Sequence, residues 1–335
     1  MRICLSFCAL LILIFTGCGT EKPAQYRKIA GFTQGTTFHI TYEDKNEKDL
    51  SVKVDSIFKA FDLIFSEYVP NSVVSRINQN DSSVILDDLF IEVFNKSLQI
   101  SKETNGAFDL TVGPLVNAWG FGPEKKAVID SSTIDSLLQY VGMEKIRIEG
   151  RKLIKDLPGI KIDVNSIAQG YTVDVIYRYF EKLGIENFMV EIGGEVRTKG
   201  KNPKGDFWRI GVDKPTEGNN AAGENLQTII LLDNQAVTTS GNYRKYFEEN
   251  GQKFSHIIDP HTGYPYKNNL LSVTVIARDA LTADGYDTPL MVLGLEGARQ
   301  FLKQHPELDA YMIYSDESGH FQVEFTKGIR FDKGK

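Results

Sequence analysis

Residues 163–195 read DVNSIAQGYTVDVIYRYFEKLGIENFMVEIGGE, and the order of their parts decides the fold class. A strand over 161–164 runs through polar Asn165 and Ser166 into a long helix over 168–183, which Gly184 closes. An apolar strand over 188–192 follows, and Gly193-Gly194 turns the chain at its end. Outward from this unit, helices and strands keep interleaving. Further strands are expected over 36–42, 145–148, 208–212, 226–232, 236–239, 271–277, 312–314 and 321–325. Val54, Ile57, Phe58, Phe61 and Ile64 recur at helical spacing and predict a helix over 52–64. Leu89, Phe90, Val93, Phe94 and Leu98 predict another over 87–103. A segment opens at Gly113-Pro114, a short helix is expected over 129–140, and a helix over 282–293 carries Pro289 and continues to 305 beyond Gly294. Interleaved elements with many hairpin-like pairs predict an α+β body of mixed helices and largely antiparallel sheets, not a doubly wound parallel sheet.

The chain has 335 residues and a formal net charge of -6, with 41% hydrophobic and 24% charged residues. That length suits one large domain or two modest ones at about 150 residues each, and the composition is that of a globular protein rather than a disordered one. No broad basic stripe is present, which speaks against nucleic acid as a partner. All three cysteines, Cys4, Cys8 and Cys18, lie in the first eighteen residues. Arg2, the apolar run 3–15 and the small-residue exit Thr16-Gly17-Cys18-Gly19 are the parts of an export signal. Phe15-Thr16-Gly17-Cys18 resembles the lipobox of bacterial lipoproteins, with phenylalanine where leucine is more usual. The expected organisation is a signal peptide over 1–17, a lipid-anchored polar tether over 18–30 starting at Cys18, and a catalytic body over 31–330, which two intimately packed subdomains could share. The mature chain then has no cysteine nucleophile and no thiolate metal site.

Several segments are too polar and glycine-rich to be simple core. In Thr104-Asn105-Gly106-Ala107-Phe108-Asp109, Asp109 either caps a helix or serves a ligand. Asp163 to Tyr171 brings free N–H groups to a helix start, a setting that suits phosphate, although Asp163 and Asn165 are equally good structural caps. Glu191-Ile192-Gly193-Gly194-Glu195 lets the backbone bend beside a planar ligand or merely turns a hairpin. His256 and His261 are the two of five histidines in a polar, glycine-flanked setting, within Ser255-His256-Ile257-Ile258-Asp259-Pro260-His261-Thr262-Gly263. In Thr282-Ala283-Asp284-Gly285-Tyr286-Asp287-Thr288, Asp284 and Thr288 share a helix face and offer oxygens to a hard divalent ion. No dinucleotide-binding glycine fingerprint, P-loop, zincin motif or nucleophile elbow is present.

Taken in order, these segments resemble the ApbE family of FAD:protein FMN transferases over roughly residues 32–325. The resemblance rests on Gly35-Thr36, on Phe65-Ser66-x-Tyr68-x-Pro70-x-Ser72-x-x-Ser75-Arg76-x-Asn78, and on Gly106-Ala107-Phe108-Asp109 with Val112-Gly113-Pro114-Leu115 and Trp119-Gly120-Phe121-Gly122. It continues through Ile167-Ala168-Gln169-Gly170-Tyr171, Glu191-Ile192-Gly193-Gly194-Glu195, His256-Ile257-Ile258-Asp259-Pro260-x-Thr262-Gly263 and Ala283-Asp284-x-x-x-Thr288. It implies an ApbE-like fold, FAD as bound substrate and a magnesium ion. FMN would pass from FAD to a threonine hydroxyl of an exported flavoprotein subunit, with release of AMP. Subunits of sodium-translocating quinone reductase or Rnf-type complexes are the implied acceptors. The implied place is the bacterial cell envelope, facing the periplasm and anchored by Cys18, at the inner rather than the outer membrane. By the same resemblance Ala168, Asp284 and Thr288 hold the metal, and His256 or Asp284 accepts the threonine proton. Tyr68, Asn105, Asp109, Gln169, Glu191, Gly193, Gly194, Glu195, His256, Asp259 and Thr262 shape the FAD site, with Asn105 and Asp109 more as supports.

The chain departs from the family pattern in places. Gln169 stands where lysine is familiar, which weakens local attraction for phosphate. Asn165 and Ser166 replace glycines, and Gln34 stands where methionine is common. Asp287 strengthens cation binding, accommodates a second ion or faces solvent. Two other functions compete with transfer: hydrolysis of FAD to FMN and AMP, and simple storage of FAD by a non-catalytic lipoprotein.

Overall fold

Gln34 and Gly35, at φ 49° and 75°, make the tight turn between β1 (Tyr26–Thr33) and β2 (Thr36–Glu43). Two consecutive positive φ values give the turn a twist that matches the paired strands. The computed structural model describes residues 25–44, 48–124, 126, 129–216, 223–242, 246–249 and 252–333. After the hairpin come α1 (Ser51–Phe65), which buries Val54, Phe58, Phe61 and Phe65, and α2 (Val73–Asn78). Asp87 caps α3 (Asp88–Glu103) by accepting from the Phe90 N–H at 2.8 Å. Pro114 sits in the first turn of α4 (Gly113–Trp119), and Gly120 at φ 83° ends it. Next are α5 (Ser131–Leu138), the hairpin β3 (Ile146–Glu149) with β4 (Lys152–Lys155), and α6 (Ala168–Lys182).

β5 (Phe188–Ile192) and β6 (Glu195–Lys199) follow, then the hairpin β7 (Trp208–Asp213) with β8 (Leu226–Leu232). The chain continues through β9 (Ala236–Gly241), the hairpin β10 (Tyr246–Glu249) with β11 (Gln252–Ser255), and β12 (Leu270–Ala277). It closes with α7 (Ala280–Gln304), β13 (Asp309–Ser315) and β14 (Phe321–Phe325). Eight strands form one antiparallel sheet in the order β1-β2-β5-β6-β9-β12-β13-β14.

Alternation along the strands sends two apolar sets to two cores. Phe188, Val190 and Ile192 join Ile40, Val54, Val173, Ile176 and Phe180 under α1 and α6. Val196, Val237, Ile276 and Ile313 join Trp208, Val212 and Leu232 of the β7–β8 hairpin. Each such side chain contributes about 1.5–3 kcal/mol when fully buried. The largest core lies around α3 and α7, with Phe90, Phe94, Ile100, Tyr286, Leu290 and Met291. The α+β class and the mostly antiparallel pairing therefore hold.

Three local expectations are corrected. Residues 161–164 make one isolated bridge, Val112 to Lys161, rather than a strand. Their backbone is taken by other partners: the Asn78 amide holds the Ile162 C=O and N–H at 2.9 and 2.7 Å, and the Asp163 N–H donates to Leu110 O at 2.7 Å. Glu195 starts a strand instead of ending a turn. Residues 26–30, expected in the tether, lie in edge strand β1, where one face remains exposed. α2 and the β10–β11 hairpin were not anticipated. The expected signal peptide and Cys18 lie outside the described residues. Among the described residues, no helix is long and apolar enough to cross a membrane.

Candidate active site

α6 and α7 cross at Gly170 with no space for a side chain. A Cβ there would stand 2.4 Å from Ala280 O and 2.6 Å from Asp284 Cβ. The close approach lets the Gly170 N–H, one of the donors that a first helical turn leaves free, reach Asp284 Oδ2 at 2.7 Å. Asp284 is only 5% exposed. Burial pushes its carboxyl up to about 7, against the Gly170 hydrogen bond and aided by the negative charge of Asp174. Asp287, one turn on, is 2% exposed. Burial and then the charge of Asp284 hold it well above the ordinary carboxylate range, and Glu195 also faces it. The solvent-facing reading of Asp287 is thus corrected: α7 turns that side inward.

The other oxygens of this cluster are tied in place. Thr288 Oγ1 shares a 2.8 Å hydrogen bond with Ser240 Oγ and donates to Asp287 Oδ1 at 3.2 Å. Ala168 O accepts from Thr172 Oγ1 at 3.0 Å, and Gln34 Nε2 donates to that hydroxyl at 2.9 Å. The start of α7 is held by Asp174 of α6, whose carboxylate accepts from the Ala280 and Leu281 N–H groups at 3.0 and 2.8 Å and pairs with Arg197 at 2.6 Å. Two buried carboxyls a turn apart, with no lysine or arginine ion-paired to either among the described residues, favour a cation between protein and ligand. Carboxylate, hydroxyl and carbonyl oxygens fit a hard divalent ion. Among the described residues, no three His, Cys, Asp or Glu side chains converge on one metal position.

The β5–β6 turn abuts this cluster. Gly193 and Gly194 lie at φ 64° and 111°. A Cβ on Gly193 would meet Gln169 Nε2 at 2.3 Å, so the bare turn makes room for that amide. Gln169 Nε2 is buried without a protein acceptor. Glu191 bridges two strands and the turn: Oε2 meets His39 Nδ1 at 2.7 Å and Oε1 accepts from the Gly194 N–H at 2.9 Å. Ala168, Gln169, Glu191, Gly193, Gly194, Glu195, Asp284 and Thr288 therefore form one neighbourhood.

Asn105, Asp109, Asp259 and Thr262 belong to a second one. Asn105 O meets His261 Nε2 at 2.8 Å, and Asp259 Oδ1 accepts from the His261 N–H at 3.0 Å. Thr262 Oγ1 donates to Asp259 Oδ2 at 3.0 Å. Asp109 accepts from the Thr111 N–H at 2.7 Å and the Met143 N–H at 3.0 Å, while burial raises its carboxyl. These carboxylates brace turns. Asn105, Asp109, Glu144 and His261 line a cavity of about 660 Å³. His256, half-buried after β11, meets the Phe121 ring edge-on at 6.3 Å. Tyr68 is 64% exposed on the loop after α1. Sequence reasoning missed Asp174, Thr172 and the packing role of Gly170; the Gly170–Asp284 approach joins residues 114 apart and has no local signal.

Residues 34–312 match the model of the ApbE family. The chain is 41% identical over 316 residues to an FAD:protein FMN transferase of Vibrio cholerae, covering 92% of each protein. It is 34% identical over 336 residues to the FAD:protein FMN transferase of Salmonella typhimurium, covering 95% of this chain and 94% of that one. Among solved structures, the flavin transferase ApbE from Vibrio cholerae superposes with a TM-score of 0.82 at 37% identity, covering 91% of this chain and 98% of that chain. The apo form of Pseudomonas stutzeri flavinyl transferase ApbE gives 0.80 at 33% identity, covering 91% and 95%. This chain belongs to the ApbE family.

Proposed function

We propose that this protein is an FAD:protein FMN transferase, carrying FMN from FAD to a threonine hydroxyl of another protein and releasing AMP. The observation that carries the reading is the buried Asp284–Asp287 pair, joined to the first turn of α6 through the Gly170 N–H and to the Thr288 hydroxyl through Asp287 Oδ1. Such a cluster is costly unless a cation and a phosphate ligand occupy it. Magnesium bound by Ala168 O, Asp284 and Thr288 would neutralise charge on the pyrophosphate. Gly170 orients the Asp284 carboxylate through Oδ2. At Gly194 the turn leaves space beside the backbone, and Tyr68, Gln169, Glu191 and Glu195 would shape the surroundings of the flavin nucleotide, with Asp259 and Thr262 acting from the second neighbourhood.

In the transfer, the threonine oxygen bonds to the phosphorus that carries riboflavin. The bond from that phosphorus to the bridging oxygen breaks, and AMP leaves with the oxygen. His256 takes the hydroxyl proton, with Asp284 as the second candidate. A lipid anchor at Cys18 and a periplasmic position at the inner membrane would put the site beside membrane-bound acceptors, such as subunits of sodium-translocating quinone reductase or Rnf-type complexes. Asp284→Ala tests the metal assignment. AMP release from FAD should fall roughly 10²-fold or more, the scale of losing a main electrostatic contact, while circular dichroism stays near wild type. Near-normal turnover at limiting magnesium would defeat it.

A further inference from the structure

The carbonyl assigned to the cation is engaged by this chain's own side chains. Thr172, fully buried in α6, donates through Oγ1 to Ala168 O at 3.0 Å. Its N–H takes the same oxygen in the regular ladder of the helix, four residues back. A backbone carbonyl offers two lone pairs, so both are in use. A threonine that bonds back to the carbonyl one turn earlier is ordinary in a helix. A distant residue that holds the hydroxyl there is not. Gln34 Nε2 donates to Thr172 Oγ1 at 2.9 Å, across 138 residues of chain. That bond occupies the hydroxyl oxygen and leaves its proton for Ala168 O.

Gln34 reaches this contact from the tip of the β1–β2 turn. Its φ of 49° is a left-handed value that residues other than glycine seldom adopt. Its Oε1 is buried without a protein partner, and so is the Nε2 of Gln169, the residue after Ala168. Unpaired buried polar atoms are destabilising, and both belong to positions where the chain departs from the ApbE pattern. We propose that Thr172 and Gln34 form a built-in competitor for the cation: the hydroxyl holds the Ala168 carbonyl until a divalent ion displaces it, which lowers the metal affinity of the site. This rests on the metal assignment in the reading above. One hydrogen bond is a small obstacle to an ion that also gains a carboxylate and phosphate oxygens. A site without FAD therefore stays empty at magnesium concentrations that fill the complex.

The test measures the dissociation constant of Mn2+, a paramagnetic stand-in for magnesium, by electron paramagnetic resonance of the free ion in purified protein without FAD. Thr172→Val removes the hydroxyl and should bind Mn2+ about fivefold more tightly, the size of one ordinary hydrogen bond. Gln34→Met should give a smaller gain. The double variant should be no tighter than Thr172→Val, because both changes act through one hydroxyl. Thr172→Ser keeps the hydroxyl and should match wild type. Unchanged or weaker Mn2+ binding by Thr172→Val, with circular dichroism like that of wild type, overturns the competition. Should Thr172→Val fail to fold, Gln34→Met decides, and an unchanged affinity there overturns it equally. No Mn2+ bound by wild type or any variant, with or without FAD, instead overturns the metal assignment itself.

Discussion

Gly170 is the residue on which the site geometry turns. Any side chain there collides with Ala280 O and Asp284 Cβ, so Gly170→Ala should force α6 and α7 apart. Overpacking of this kind costs about 1–3 kcal/mol. Calorimetry should record a lower melting temperature together with weaker magnesium binding; unchanged binding would show that Asp284 does not depend on this contact. Gln169 offers a second test. Its amide nitrogen lies buried without a protein acceptor where the family pattern has a lysine. Gln169→Lys should tighten FAD binding several-fold, with the gain shrinking as salt rises. A gain that ignores ionic strength would point to packing rather than charge. Residue chemistry was partly legible in sequence: Asp284 and Thr288 stand one turn apart on α7, as their spacing predicts. The burial of Asp287 was not, because a lone aspartate at i+3 reads the same on a wet or a dry helix face.

The element that presents the site is α7, and Asp174 fixes its first turn. Its carboxylate takes two N–H groups of α7 and the Arg197 guanidinium, while Asp279 caps the same end through the Thr282 N–H at 2.8 Å. Asp174→Ala leaves a buried arginine and two donors unpaired, which should cost about 3–5 kcal/mol. Chemical denaturation of the two proteins measures the difference directly, and a loss below 1 kcal/mol, about one ordinary hydrogen bond, would contradict this account. Further along, Gly294 leaves the helical region at φ 69°, and the Asn268 amide donates to Met291 O at 2.9 Å beside the break. Helices such as α1 and α3 were legible because one apolar stripe faces one core. β1 was not, since an edge strand with no fully buried residue has no clean alternation to read. The pairing of β6 with β9 joins residues about forty apart, Val196 to Val237 and Arg197 to Ala236, which local pattern does not encode.

At the scale of the whole molecule, stability should carry the mark of the Glu67–Asp163 pair. Burial, and then the charge of Asp163, push the carboxyl of Glu67, on the loop after α1, from its ordinary 4.5 up to about 10. Between those limits the folded state binds more protons than the unfolded state, so stability falls as pH rises. Melting temperature followed across this window should drop less in Glu67→Gln than in wild type; identical slopes would remove the pair from the account. The arrangement as a whole, with helices on one face of an antiparallel sheet and a hairpin on the other, exists to bring the β5–β6 turn, the start of α6 and α7 to one place. The most direct measurement mixes purified protein, FAD, magnesium and an exported flavoprotein subunit offered as acceptor, and reads the intact mass of that subunit. The account predicts a gain of one FMN, mapped to threonine and matched by one AMP; FMN and AMP free in solution with the subunit unmodified would contradict it.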